Sequence, residues 1–124
     1  MDKDFTYTFQ AGVLPTTAEV VTTSLAAEGT TLFRVFGDEA QGLGQSWTTV
    51  NPGTVVNYRD VAGLFPGNSG QFVIEGTLTD TQGVLFRGAL PGPGGVGGGL
   101  PEVLVPNPGS QICIVCVSGA NPPF

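Results

Sequence analysis

Short runs of apolar and β-branched residues, separated by Gly, Pro and polar clusters, make up most of this chain. A run of four to eight such residues between turn-forming residues is typical of a β-strand. This pattern predicts strands over residues 31–37, 46–50, 71–79, 84–90, 103–105 and 111–117. A weaker alternation over residues 5–9 indicates a further strand or an ordered arm. The chain is therefore expected to be rich in β-structure.

Two stretches have features of a helix instead. Over residues 54–64, four apolar side chains recur near helical spacing, and Gly63 comes close to the end of the stretch. Residues 16–27 lie between Pro15 and Gly29, which are typical flanks of a helix, although their many Thr and Val residues have low helix propensity. The predicted fold class is α+β and β-rich, with one or two helices.

Length, charge and composition limit the classes of partner and of active site that this chain can have. A chain of 124 residues is expected to form one domain, and no repeat or internal boundary is visible. The net charge is −6 with four basic residues, too few to hold a phosphate backbone, so nucleic acid is an unexpected partner. No apolar run reaches the ~20 residues that span a bilayer, so no membrane partner is expected. The absence of His excludes His-dependent triads and most zinc sites.

The two cysteines give little evidence of chemistry. Cys113 and Cys116 stand three apart in a predicted strand, where such residues point to opposite faces. A disulfide between them would need a break in that strand. A redox or zinc CxxC site is the alternative, and buried free thiols are the favoured interpretation.

Glu102 is the leading candidate for chemistry. It follows the Gly run at residues 97–99 and opens a short apolar strand. One carboxylate at the mouth of a β-structure, beside a glycine-rich loop, is consistent with a catalytic acid. The alternative is a solvated charge at a strand end. Because a Glu at the mouth of a strand is expected to have no buried partner, Glu102→Ala should cost little stability.

Three segments, taken in order, carry a resemblance. They are L-F-R-V-F-G, which contains Arg34, then S-W-T, which begins at Ser46, and P-E-V-L-V-P-N-P-G-S-Q-I-C-I-V, which contains Glu102. This order resembles the Arg–Ser–Glu class of the mono-ADP-ribosyltransferase superfamily of bacterial toxins. The longer string from R-V-F-G to N-Y-R-D-V-A-G-L, with G-Q-F-V-I-E-G-T-L and V-S-G-A-N-P-P-F, resembles the C-terminal domains of polymorphic toxins, including RHS-type proteins. Among these it is most similar to the TreTu-like toxins, which modify elongation factor Tu.

The resemblance implies a fold, an activity and partners. The fold would be a split β-sandwich over residues 31–124, with residues 1–30 as an N-terminal arm or helical segment. The activity would be transfer of ADP-ribose from NAD, without a metal, to a bacterial target protein, with elongation factor Tu as the candidate. A cognate immunity protein is expected. The domain would be secreted or delivered within a larger effector during interbacterial competition and would act in the cytoplasm of the target bacterium.

The resemblance also assigns roles to residues. Glu102 would stabilise the oxocarbenium-like transition state formed when nicotinamide leaves ribose, so Glu102→Ala should abolish toxicity. Arg34 would fork onto pyrophosphate or ribose oxygens, or else be a structural arginine paired with Glu75 or Asp60. Ser46 would hydrogen-bond Glu102 or contact the nicotinamide ribose, or else be an ordinary strand-start serine. The further NAD-binding candidates are the backbone of Val35 and the side chains of Trp47, Phe65 and Phe72. Trp47 is also a natural core residue.

The chain departs from the family pattern at one position, and two other functional hypotheses remain. Leu100 stands where the family often carries a second acid or a Gln that orients the acceptor side chain. An NAD glycohydrolase, in which water replaces the target, is the second enzymatic hypothesis. A non-enzymatic β-rich structural or surface module is the third, because the chain is rich in Gly, Pro and Thr and poor in charge.

Overall fold

A computed structural model describes residues 20–21 and 27–124 of the chain. In this part the strands are β1 (Val20–Val21), β2 (Thr31–Asp38), β3 (Ser46–Trp47), β4 (Asn68–Leu78), β5 (Leu85–Gly88), β6 (Pro101–Leu104) and β7 (Ile112–Gly119). The helices are the one-turn segments α1 (Tyr58–Val61) and α2 (Pro108–Gln111), with 3₁₀ turns at Pro52–Thr54 and Pro93–Gly95. The expected β-rich α+β composition is confirmed.

The strands form two antiparallel sheets. The first has the order β1-β5-β6-β3 and the second the order β2-β4-β7. Phe33 and Thr48 form a bridge between them: the backbone N–H of Phe33 in β2 donates to the carbonyl of Thr48, and the N–H of Thr48 donates to the carbonyl of Phe33, both at 2.8 Å. The residue that follows β3 is thereby tied to the edge of the second sheet.

The two sheets bury a shared apolar core. It contains Trp47, Phe86, Val103 and Val105 from or beside the first sheet and Leu32, Ile74, Leu78 and Ile112 from the second. A second cluster packs α1 against the sheets, with Val35, Tyr58, Ala62, Leu64, Ala89 and Leu100 as its buried members. Both clusters lie next to the strands that carry Arg34, Ser46 and Glu102, so the backbone around these residues is held by packing on several sides.

The predicted helix over residues 54–64 is wrong in extent. The structure has a 3₁₀ turn at Pro52–Thr54, extended backbone at Val55, and only the four residues Tyr58–Val61 in α1. Asn57 adopts a left-handed conformation with φ 59°, which prevents the helix from continuing backward. β-Branched residues and an Asn at this point outweigh the apolar spacing.

The predicted helix over residues 16–27 is wrong at its centre, where Val20–Val21 form β1 and pair with Arg87 and Phe86 of β5. The Thr and Val residues that weakened the helix prediction favour extended backbone. Residues 16–19 and 22–26 of this prediction, and the strand or arm predicted over residues 5–9, lie outside the described residues. The division of the chain at residue 30 stays a prediction.

The strand predictions from residue 31 onward agree with the structure to within a few residues at their ends. The interpretation of the cysteines as buried thiols is wrong: Cys113 and Cys116 are free and exposed on β7. An extra residue interrupts the β4–β7 register, because Glu75 and Gly76 face Cys116 and Ile114 and leave Val115 between them.

Candidate functional site

The carboxylate of Glu102 accepts hydrogen bonds from two side chains. Ser46 Oγ donates to Oε2, and Arg87 Nε donates to Oε1 in a buried ion pair. All three residues are at most 2% exposed. Glu102 is therefore not a solvated charge at a strand end. The expectation of a small stability cost on truncation assumed that Glu102 has no buried partner, and the structure gives it two.

Sheet register brings these three residues together. Arg87 and Glu102 are direct cross-strand neighbours of β5 and β6, and such neighbours share one face of a sheet. Ser46 lies opposite Leu104, which is two residues from Glu102 and hence on the same face. The intervening residues place Trp47, Val103 and Phe86 on the other face, in the core. The apolar alternation of these strands thus orients the polar cluster.

Arg34 joins the cluster from the second sheet. Its Nη1 donates to the backbone carbonyl of Ser46 at 3.0 Å, and its Nε donates to the carbonyl of Gln41 at 2.8 Å. The side chain is 1% exposed. Arg34, Ser46 and Glu102, the three predicted catalytic residues, therefore form one continuous chain of contacts across the two sheets.

The strand register separates Arg34 from Glu75. Arg34 lies opposite Ile74 in the β2–β4 pair, whereas Glu75 lies opposite the adjacent residue Phe33. Successive residues of a strand point to opposite faces, so Arg34 and Glu75 project from different faces of the second sheet. The alternative in which Glu75 is the structural partner of Arg34 does not fit this geometry.

The loop between β2 and β3 closes over Arg34. Besides the carbonyl of Gln41, it places Gly42 against the ring of Phe36, where a Cβ would lie 3.5 Å from the ring. The indole N–H of Trp47 donates to the carbonyl of Gly44 at 2.8 Å and ties the end of the loop to the core. Access to the Arg34 guanidinium therefore requires displacement of this loop.

The aromatic candidates for NAD binding occupy different environments. Trp47 is fully buried in the core between the sheets. Phe72 is 40% exposed and stacks on Phe36, with ring centroids 5.3 Å apart. Because Phe36 lies two residues from Arg34 along β2, this pair and Arg34 share one face of the second sheet. Phe65 is half-buried in the turn before β4.

The backbone of Val35, the remaining NAD-binding candidate, is engaged within the protein. Its carbonyl accepts a hydrogen bond from Asn68 Nδ2 at 2.9 Å, and its side chain is buried in the second core cluster. Leu100 is also buried in that cluster. The position that departs from the family pattern therefore serves packing.

Arg87 is the residue that sequence reasoning missed. It contacts Glu102 directly, yet it belongs to none of the three segments on which the resemblance rests. Its one signal in the sequence is a basic residue inside an apolar strand, the same feature that drew attention to Arg34. Which carboxylate it meets depends on the pairing of β5 with β6 across the loop of residues 89–100.

Within the described residues, no three Cys, Asp or Glu residues are grouped as metal ligands would be. In the same part of the chain, no helix has the length and apolar character needed to cross a membrane. Comparison with protein-family models, curated proteins and solved structures finds no match to this chain. The cluster of Arg34, Ser46, Arg87 and Glu102 is therefore the feature from which a function can be inferred.

Proposed function

We propose that this chain is an NAD-dependent mono-ADP-ribosyltransferase toxin domain with a split β-sandwich fold. The observation that carries the proposal is the chain of contacts from Arg34 to the Ser46 carbonyl and from the Ser46 hydroxyl to Glu102. The bridge between Phe33 and Thr48, which joins the edges of two otherwise separate sheets, is consistent with a split sandwich.

Glu102 acts in this proposal on the ribose of NAD. Cleavage of the bond to nicotinamide develops positive charge on the ribose, and a fixed carboxylate stabilises that charge. Ser46 and Arg87 each hold one oxygen of Glu102, so the carboxylate is oriented before the substrate arrives. Such prior orientation lowers the reorganisation that the transition state would otherwise require.

Arg34 binds the pyrophosphate of NAD in this proposal. Its guanidinium is held by the carbonyls of Gln41 and Ser46, and phosphate oxygens would take the place of the Gln41 carbonyl when the β2–β3 loop moves. Phe72, half-exposed on the same face, would stack on a planar ring of the substrate. Of the three aromatic candidates, Phe72 is thus the one best placed for contact with NAD.

The acceptor is proposed to be a bacterial protein, with elongation factor Tu as the candidate, and the toxin would be delivered by a larger effector and neutralised by an immunity protein. Leu100, a buried apolar residue, stands where the family often carries an acid or a Gln that orients the acceptor side chain, and this favours hydrolysis of NAD by water as the second candidate.

The experiment compares the unchanged chain with Ser46→Ala and Glu102→Gln in a bacterial lysate that contains labelled NAD. The proposal predicts a labelled protein with the unchanged chain, about tenfold slower labelling with Ser46→Ala, and loss of the label with Glu102→Gln. Consumption of NAD without labelled protein would identify the glycohydrolase. A folded chain that neither consumes NAD nor gains thermal stability from it would contradict both enzymatic hypotheses and favour a structural module.

A further inference from the structure

A cavity lies away from the Glu102 cluster, on the outer face of the second sheet. It has a volume of about 560 Å³, and its floor is formed by Phe33, Val73, Glu75, Cys116 and Ser118. Asn51, Gly53 and residues 119–122 with Phe124 form its walls. Glu75 pairs with Phe33 on one side and with Cys116 on the other, so these three form one row across the sheet.

The cavity has the chemistry of a cation site. Of the described residues that line it, Glu75 is the one with a charged side chain. Within residues 27–124, the Glu75 carboxylate forms no ion pair with a Lys or Arg side chain. The adjacent ring of Phe33 adds an aromatic surface, which attracts a guanidinium or ammonium group. A Lys or Arg side chain matches both features.

The cavity borders an open sheet edge. In the part of the chain that the structure describes, β7 is the end strand of the β2-β4-β7 sheet, and its sequence I-C-I-V-C-V-S-G has no charge. Ile114, Val115 and Val117 are 40–59% exposed. Edge strands of this length are usually protected by charge or Pro, and an uncharged edge can accept a strand from another chain. The extra residue Val115 divides the edge and leaves Cys116–Gly119 beside the cavity.

We propose that an extended, basic segment of a partner protein adds to β7 at residues 116–119 and places a Lys or Arg side chain beside Glu75. Charge complementarity selects this occupant, because the chain carries a net charge of −6 and the carboxylate of Glu75 lines the cavity. The site does not depend on the proposed transferase activity, since Glu75 and Arg34 project from opposite faces of the second sheet.

The test uses a fluorescent, capped hexapeptide that alternates arginine with valine, and a control peptide with glutamate in place of arginine. Binding is measured by anisotropy to the unchanged chain, to Glu75→Gln and to Glu28→Gln. Glu28 is exposed and does not line the cavity, so its variant makes the same change in net charge elsewhere. Hydrogen exchange then locates the contact on the backbone.

The arginine peptide is expected to bind, the glutamate peptide not to bind, and Glu75→Gln to weaken binding roughly tenfold, as expected for loss of one charged hydrogen bond. Glu28→Gln should bind as the unchanged chain does, and exchange should slow at residues 116–119. Equal weakening by both variants, or no binding by the unchanged chain, would overturn the proposal. So would protection of β7 that rises with protein concentration in the absence of peptide, because a second copy of the chain would then occupy the edge.

Discussion

The hydroxyl of Ser46 donates a hydrogen bond to the carboxylate of Glu102 across a separation of 56 residues in sequence. Both side chains are buried, and the same carboxylate accepts from Arg87. A structural role and a catalytic role for this cluster make different predictions, because one depends on satisfying buried charge and the other on retaining the carboxylate.

The ion pair of Arg87 with Glu102 can be tested by replacing each residue singly and both together. Arg87→Met or Glu102→Leu alone should lower the free energy of unfolding by ~3–5 kcal/mol, because each leaves an uncompensated buried charge. The double variant should regain most of that loss, since an apolar pair of similar volume replaces the ion pair. Urea denaturation of the unchanged chain, the two single variants and the double variant measures the four free energies of unfolding in this double-mutant cycle.

The double variant also separates stability from catalysis. It should stay folded yet consume NAD at least ~10²-fold more slowly, since the stabilising carboxylate is gone. A stable double variant that consumes NAD at the original rate would exclude a catalytic role for Glu102.

Ser46→Ala removes one of the two donors to Glu102. The expected loss of stability is ~1 kcal/mol, the net worth of one hydrogen bond. If Ser46 orients the catalytic carboxylate, kcat should fall about tenfold, which corresponds to a barrier about 1.4 kcal/mol higher, with little change in KM. Ser110→Ala is the matched control, because its hydroxyl is exposed and donates only to the Asn107 carbonyl. An unchanged kcat in Ser46→Ala would restrict this serine to a structural role.

Phe72→Leu tests which aromatic residue contacts NAD. Phe72 is 40% exposed, so the substitution should change the melting temperature little, but loss of ring stacking should raise the KM for NAD several-fold. Phe65→Leu is the comparison, and it should leave the KM unchanged. The reverse pattern would move the stacking role to Phe65.

Arg59 anchors the last residues of the chain. Its guanidinium donates to the carbonyls of Phe65, Asn68 and Phe124, and the adjacent Tyr58 ring meets the Phe124 ring edge-on. Arg59→Ala should lower the free energy of unfolding by about 2 kcal/mol, because three part-buried carbonyls lose their donors. Arg59→Lys should recover only part of this, since an ammonium cannot reach all three carbonyls. Chemical denaturation checks both values, and an unchanged midpoint for Arg59→Ala would show that these hydrogen bonds add nothing to stability.

The strands from residue 31 onward could be predicted because their signal is local. Alternating or continuous apolar residues between Gly, Pro and Asn turns specify extended backbone, and Thr31–Asp38 and Asn68–Leu78 follow that pattern closely. The prediction of a helix over residues 54–64 is wrong for a reason that is also present in the sequence. Apolar spacing suggested a helix, but β-branched residues and Asn57 restricted it to one turn.

The sequence by itself determined the positions of most strands and the β-rich class, and it indicated Arg34, Ser46 and Glu102 as the candidate catalytic residues. The tertiary structure alone decided that Glu102 is buried, that Arg87 is its partner and that Arg34 meets Ser46 from the other sheet. Strand formation depends on neighbouring residues along the chain. Cross-strand register instead depends on how two sheets pack their apolar faces together, and that packing involves residues far apart in sequence.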